Sequence, residues 1–384
     1  MFGLRRHFLL DPSVTFLNHG SFDATPRPVF QAYQRWQREL ERQPVEFLER
    51  RFTDLMQTAR QSLADYVGTG ADNLVYTTNV TESLNIVARS LTLGPGDDVL
   101  STDHEYGALD RTWRFLAKER GFAYINQPIP VPLTTPQAFV AALWKGVTHS
   151  TRVIFLSHIT SPTALIFPVE QVVRRARKAG ILTVVDGAHV PGQLPLRLDE
   201  LEVDFYGGNL HKWLCAPKGA GFLYARSEVQ HLLKLLVVSW GYESEIPGPS
   251  RFVDHHEWTG TRDIAAFLSV QAAIEFQRGH DWGKVRHAYH ELVGEAQERI
   301  CALSGLSPLS DDSWFMQFVA TLLPDASDMS ALKTCLYNEY RIEVPLILWN
   351  DRKFIRVSVQ GYNTRRDVEK LVETLGEVVE KCKM

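Results

Sequence analysis

Between about residues 50 and 240, short β-branched or apolar runs alternate with amphipathic helical stretches, and this alternation constrains the fold more than any other feature of the chain. Strand and helix taking turns is the pattern of a mostly parallel sheet covered by helices, an α/β architecture. The runs expected as strands are Asn73 to Thr77, Asp98 to Ser101, Ala123 to Ile125, Arg152 to Ser157, Leu182 to Val185, Asp204 to Gly207 and Gly221 to Ala225. Between two of them, Val169 to Lys178 is apolar at Val169, Val172, Val173 and Ala176, one helical face, and Gly180 follows where a helix stop belongs.

From about Ile264 the pattern changes. Two long helical stretches, Ile264 to Arg278 and Trp282 to Ser304, precede short strands around Trp314 to Leu322 and Lys353 to Val359. A last amphipathic helix, Thr364 to Lys381, carries Leu371, Val372, Leu375, Val378 and Val379 on one face. This reads as a smaller α/β unit. A chain of 384 residues, 45% of them hydrophobic, also exceeds the usual size of one domain. The expected division is an N-terminal segment, 1–30, that joins the small domain and the active site, a large domain, 31–255, and a small C-terminal domain, 256–384.

A formal charge of -4 supplies no global attraction to nucleic acid or an anionic membrane surface, and no apolar run approaches the length of a membrane helix. The N-terminus, Met1 to Leu10, meets Asp11 and Pro12 before any run long enough for a signal peptide. Cys215, Cys301, Cys335 and Cys382 are scattered, with no metal-site spacing, so no metal is expected and a reducing, cytoplasmic setting fits best. A small molecule is the expected partner.

Three segments carry chemistry. Gly207-Gly-Asn-Leu-His-Lys-Trp213 places Lys212 in a turn after a strand, where desolvation and nearby positive dipoles lower an amine's pKa and make it a nucleophile. The run Ile181 to Val185 ends in Asp186-Gly-Ala-His189, which stands a carboxylate at the carboxyl end of a buried strand. Leu74 to Leu84 is a strand turning directly into a helix near Asn79, with Glu82 placed as in a capping box; backbone N–H groups at Asn79, Val80 and Thr81 can cradle a phosphate. Alone, each has an ordinary reading: a solvated lysine, a turn-forming aspartate, an N-cap.

In this order and with these flanks, the three resemble the class V aminotransferase superfamily of pyridoxal-5′-phosphate (PLP) enzymes of fold type I, in particular its isopenicillin N epimerase-like branch. The resemblance runs from Phe16-Leu-Asn-His-Gly-Ser-Phe22 to Arg356-Val-Ser-Val-Gln-Gly-Tyr-Asn363, and Ser157-His158-Ile-Thr-Ser-Pro-Thr163 also suggests that branch. It implies that Lys212 holds PLP as a Schiff base and carries the proton, that Asp186 pairs with the ring nitrogen, that His189 sits near the ring hydroxyl, and that Asn209 and His211 reach the phosphate. Tyr106 in Asp103-His-Glu-Tyr-Gly-Ala108 would stack on the ring, with His104 as the alternative. Arg356 would grip the substrate α-carboxylate, a match of guanidinium fork to carboxylate, with Asn18, His19 and His158 on the substrate side. Thr261, in Trp258-Thr-Gly-Thr-Arg262, would donate to the phosphate in a partner subunit, which implies a homodimer with shared active sites.

The expected activity is removal and return of the α-proton of an amino acid or amino-acid-derived substrate. Alternatives on the same scaffold are C–S lyase, cysteine desulfurase-like or aminotransferase activity, and, outside enzymes, a PLP-binding sensor. A desulfurase needs a nucleophilic cysteine on a loop before the carboxylate arginine, and Arg341 to Arg356 holds none. A fused DNA-binding regulator would need a helix-turn-helix extension, which this sequence lacks, and an NAD(P)-binding protein would need a GxGxxG after its first strand.

Overall fold

The structure, a computed structural model, describes residues 3–325 and 328–382, with side chains described through residue 378. Met1, Phe2 and the side chains of Val379 and Cys382 lie outside it. Seven strands form the central sheet: β1 (Leu74–Thr77), β2 (Asp98–Thr102), β3 (Ala123–Gln127), β4 (Thr151–Ser157), β5 (Leu182–Gly187), β6 (Phe205–Asn209) and β7 (Gly221–Ala225). Their order is β1-β7-β6-β5-β4-β2-β3, and only β7 runs antiparallel to its neighbours.

Alternate residues of these strands enter different cores. Val153, Phe155 and Val184 pack with Leu84 and Val87 of helix Val80–Ser90 and Trp113 of helix Gly107–Arg120. Ile154, Leu156 and Val185 pack the other way, with Met56 and Leu63 of helix Phe52–Val67 and Val172 and Val173 of helix Val169–Lys178. A sheet buried on both faces explains why its strands read as continuous apolar runs. The chain leaves β2 for β3 at the edge and returns to β4 on the far side of β2. That reversal opens a crevice at the strands' carboxyl ends, where such sheets bind ligands.

Beyond the central sheet, β8 (Phe318–Leu322), β9 (Leu346–Trp349) and β10 (Arg352–Ser358) form an antiparallel sheet in the order β9-β10-β8, and Thr15–Phe16 pairs in parallel with Ile342–Glu343. The N-terminal segment is thereby stitched to the C-terminal part of the chain. Two expectations are corrected. The single helix expected over 264 to 278 is two, Ala265–Leu268 and Val270–Gly279, broken at Ser269, whose hydroxyl bonds the Ala265 carbonyl at 2.7 Å. The strand expected from Trp314 starts at Phe318, because Asp312–Trp314 forms a 3₁₀ turn capped by Asp311. Among the described residues, no helix is long and apolar enough to cross a membrane, and no cluster of His, Cys, Asp and Glu could hold a metal.

Candidate active site

The crevice holds a cavity of about 720 Å³ whose lining includes Ser21, Phe22, Thr78, Asn79, Val80, Thr81, Tyr106, Ser161, Asn209, His211, Lys212 and Arg356. Residues about 330 positions apart in sequence thus share one wall. Lys212 sits in the turn after β6, its amine 3.1 Å from His189 Nε2. Burial lowers its pKa to about 8, partly opposed by Asp186. An amine in that range is proton-free often enough at neutral pH to attack an aldehyde.

Asp186 is a residue of β5 rather than of the loop after it, because it pairs laterally with Ser157 on one side and Gly207 on the other. One carboxylate oxygen accepts the Ala188 N–H at 2.8 Å, and burial raises the pKa to about 6, so the group is ionised at neutral pH yet has no hydrogen-bonded cation. Such a buried carboxylate is a receptor for a protonated ring nitrogen. Behind it lies Glu105, buried, accepting the Ser157 N–H at 2.8 Å, its hydroxyl at 2.6 Å and the Thr102 hydroxyl at 2.6 Å. Burial raises Glu105 to about 8. Nothing in the spacing of Asp103-His-Glu-Tyr singles out Glu105; only the fold brings it to β4.

The helix starting at Val80 points its N-terminus into the cavity. Asn79 caps it, accepting the Glu82 N–H at 3.0 Å, while the Glu82 carboxylate returns to the Thr78 N–H at 2.7 Å. The Val80 N–H is already taken by Asn209 Oδ1 at 2.9 Å, which corrects the expectation that the Val80 N–H is free for a phosphate, while the Asn209 Nδ2 amide remains a donor on the cavity wall. Thr81 remains as a first-turn contact, since the Thr78 hydroxyl donates to the Glu82 carboxylate at 2.5 Å; His211 lines the same cavity, its Nδ1–H donating to the Ala220 carbonyl at 2.9 Å and its pKa lowered by burial to about 4. Gly221 lets β7 approach this turn: a Cβ there would stand 2.8 Å from Asn79 Cα.

Arg356, in β10, is buried, and burial lowers its pKa to about 10. Its guanidinium donates to the Ser161 carbonyl, to the Ser161 hydroxyl at 3.2 Å and to the Ser21 hydroxyl at 2.9 Å, and Nε has no partner. Among the described residues, no carboxylate pairs with it. A buried, positioned and uncompensated guanidinium facing a cavity is a site for a carboxylate from outside. Ser21 and Ser161, its two holders, lie in motifs quoted above but have no chemistry that the sequence alone brings out.

Tyr106 lines the cavity and is 42% exposed. His104 does not: it is completely buried, with Nδ1 at 2.8 Å from the Thr163 hydroxyl, Nε2 at 3.3 Å from the Ile129 carbonyl and Trp349 against its ring. The alternative that placed His104 on the ring is corrected on that ground. Asn18 and His19 also face away, Asn18 donating to Glu343 at 3.0 Å and His19 Nε2 lying 3.2 Å from the Lys212 carbonyl and Nδ1 3.0 Å from the Tyr362 hydroxyl. Their neighbours Ser21 and Phe22 take the wall instead. His158 turns its Nδ1 to the Tyr206 hydroxyl at 3.1 Å and is not on the wall, and Thr261 is exposed, outside this chain's cavity.

The donor set fits PLP: an amine of lowered pKa, a helix N-terminus and a guanidinium without a counter-ion line one cavity, and the buried Asp186 carboxylate lies behind that wall, near enough to act on Lys212. The Aminotransferase class-V family model matches residues 23–371. The chain is 37% identical to an isopenicillin N epimerase from Amycolatopsis lactamdurans, over 97% of each sequence. It is 34% identical to an isopenicillin N epimerase from Streptomyces clavuligerus, over 97% of this chain and 96% of that one. Among solved structures, a lysine-to-alanine mutant of C-DES with glycine covalently linked to its PLP cofactor superposes with a TM-score of 0.86 at 22% identity, covering 97% of this chain and 99% of the other.

Proposed function

This chain belongs to the class V aminotransferase family, and we propose that it is a PLP-dependent enzyme that removes and returns the α-proton of an amino acid or amino-acid-derived substrate. The observation that carries this reading is the pairing, across one cavity, of the lowered-pKa amine of Lys212 with the unpaired guanidinium of Arg356. One grasps a carboxylate; the other is a base within reach of the carbon beside it. Identity of 37% to a named epimerase favours proton return over loss of a side-chain group.

PLP, when bound, supplies an electron sink for charge left at the α-carbon. Everything else belongs to the chain. Lys212 would hold PLP through its amine and take the proton at one face, and Asp186 would keep the ring nitrogen protonated. Thr81, the helix N-terminus and the Asn209 amide would hold the phosphate, and His211 would join them only with its ring protonated, because its Nδ1–H is committed to the Ala220 carbonyl. Tyr106, on the cavity wall, would cover the ring and offer a hydroxyl as the second proton carrier an epimerase needs. Arg356, steadied by Ser21 and Ser161, orients the carboxylate and so sets which bond at the α-carbon faces Lys212.

Among the described residues, none offers the exposed loop thiolate that the desulfurase alternative needs. Cys335 lies in helix Met329–Asn338, and Cys215 is buried, with burial pushing its thiol up. Transamination and C–S lysis differ from epimerisation in products, and a sensor differs in not turning over. A homodimer accords with the exposure of Val238 (68%), Trp240 (84%) and Ile246 (90%) along one segment, and with Thr261 lying outside the chain's own cavity. Sedimentation as a monomer would remove that reading. A cytosolic setting accords with the free thiols of Cys215 and Cys301.

The test is an absorbance scan with PLP, before and after borohydride, followed by incubation with L-amino acids and cysteine conjugates in deuterated water. A borohydride-sensitive band with deuterium entering the α-carbon of a substrate supports epimerisation. Keto-acid or sulfide release without exchange into recovered substrate would overturn it in favour of another reaction, and a protein that takes up no PLP would overturn it altogether.

A further inference from the structure

Trp213 is completely buried, and its indole N–H has one destination, Nδ1 of His189 at 3.1 Å. An indole nitrogen only donates, so Nδ1 must offer a lone pair. Burial, with Lys212, Arg356 and His19 facing the ring, holds the imidazolium well below its usual range, and a neutral imidazole has one N–H. That proton is therefore on Nε2, the atom 3.1 Å from the Lys212 amine. Two donors cannot share that contact, so the lysine nitrogen must be the acceptor, which it can be only after losing its third proton.

We infer that Trp213 is a positioning residue whose indole N–H fixes His189 as the Nε2–H tautomer, so that the imidazole donates to the Lys212 amine and, with PLP seated, to the ring oxygen beside it. The first half rests on geometry alone; the second rests on the function proposed above. The surroundings hold both rings in this relation. His189 stacks on Phe318 at 4.9 Å, and its carbonyl accepts the Gln193 amide at 2.7 Å. The Trp213 carbonyl accepts Gln277 at 2.7 Å. Gly192 lets the His189 turn lie against the Lys212 turn: any Cβ there would come within 2.2 Å of the Trp213 carbonyl. The opposite tautomer would aim Nδ1–H at the indole N–H and leave the lysine facing a bare lone pair, which would favour the protonated, unreactive amine. Trp213 acts on the lysine through the imidazole, one bond removed.

The experiment is a long-range ¹H–¹⁵N spectrum of histidine-labelled protein, with PLP and after its removal, for the natural chain and for Trp213→Phe. Phenylalanine keeps an aromatic ring near His19 and Phe318, 4.8 Å and 5.2 Å from the indole, but has no N–H. The natural protein should show His189 with its proton on Nε2. Trp213→Phe should show a shift toward Nδ1–H, a displaced absorbance band for bound PLP, and a kcat lower by about tenfold with KM changed far less. A His189 proton on Nδ1 in the natural protein overturns the inference even if the variant fails to fold, as does a Trp213→Phe variant with an unchanged tautomer. A natural protein that takes up no PLP refutes the proposed function, while the PLP-free spectrum still decides the tautomer.

Discussion

Lys212 and Arg356 are both cations with lowered pKa values, at about 8 and about 10, and they differ in what that does. The lysine crosses its pKa in the working range. Below about 8 it is protonated and cannot attack, so capture of PLP by the free protein, followed by absorbance, should accelerate as pH rises through about 8 and then level off. Capture that slows over that interval would contradict the role given to this amine. The arginine stays charged throughout, and its part is affinity. Arg356→Gln should raise KM for an α-carboxylate substrate on the order of tenfold to a hundredfold, the worth of a charged hydrogen-bond pair, with kcat changed less. Unchanged steady-state constants would place the carboxylate elsewhere. At this scale Lys212 and Asp186 are legible in the sequence, because each ends or follows a strand, whereas Tyr106 comes only from the family resemblance. Glu105 and Trp213 are not, since their importance comes from partners dozens of residues away.

Elements place these residues, and their junctions are where a small change is felt. The turn from β1 into the helix Val80–Ser90 lies so close to β7 that Gly221 has no room for a side chain. Gly221→Ala should push the Asn79 cap outward, costing about 1–3 kcal/mol of stability and loosening PLP, read as a lower Tm and a larger Kd. A variant with natural Tm and affinity would mean that the cap adjusts freely. The strand positions were readable from apolar runs, and three of their carboxyl ends, at Thr77, Ser157 and Ala225, fall where those runs stop, but the other four strands run on past them. Thr102, Asp186 and Asn209 are polar, and they belong to strands because a neighbour pairs with each: Gln127, Ser157 and Gly221. β9 was not among the expected strands, although Leu346 to Trp349 is an apolar run; its pairing with β10 makes it a strand.

For the whole molecule, the dominant acid sensitivity comes from imidazoles buried neutral around the site. His19 is lowered to about 3, and His104, His158 and His211 to about 4, each chiefly by burial. The unfolded chain protonates such groups near 6.5, the folded one only far lower, so between those limits the unfolded state binds more protons and stability rises with pH. Their contribution is present above about 6.5 and is lost as pH falls through about 4. Asp186 and Glu105, raised to about 6 and about 8, act in the opposite direction and offset part of it. The Tm of PLP-free protein should therefore fall steadily from pH 6.5 to pH 4, and a flat profile would mean that these histidines are open to water. The sequence by itself determined the α/β alternation, the lysine after β6, the carboxylate at the end of β5 and the capped helix, because periodicity and strand-end position are local properties. Only the tertiary structure decided that Arg356 faces Lys212 without a counter-ion, that His104, Asn18 and His19 turn away while Ser21 and Phe22 take the wall, and that Trp213 points at His189. Those outcomes depend on which strands become neighbours at the reversal between β2 and β4 and on how the N-terminal segment pairs with Ile342–Glu343, and no window of sequence contains both partners of such a contact.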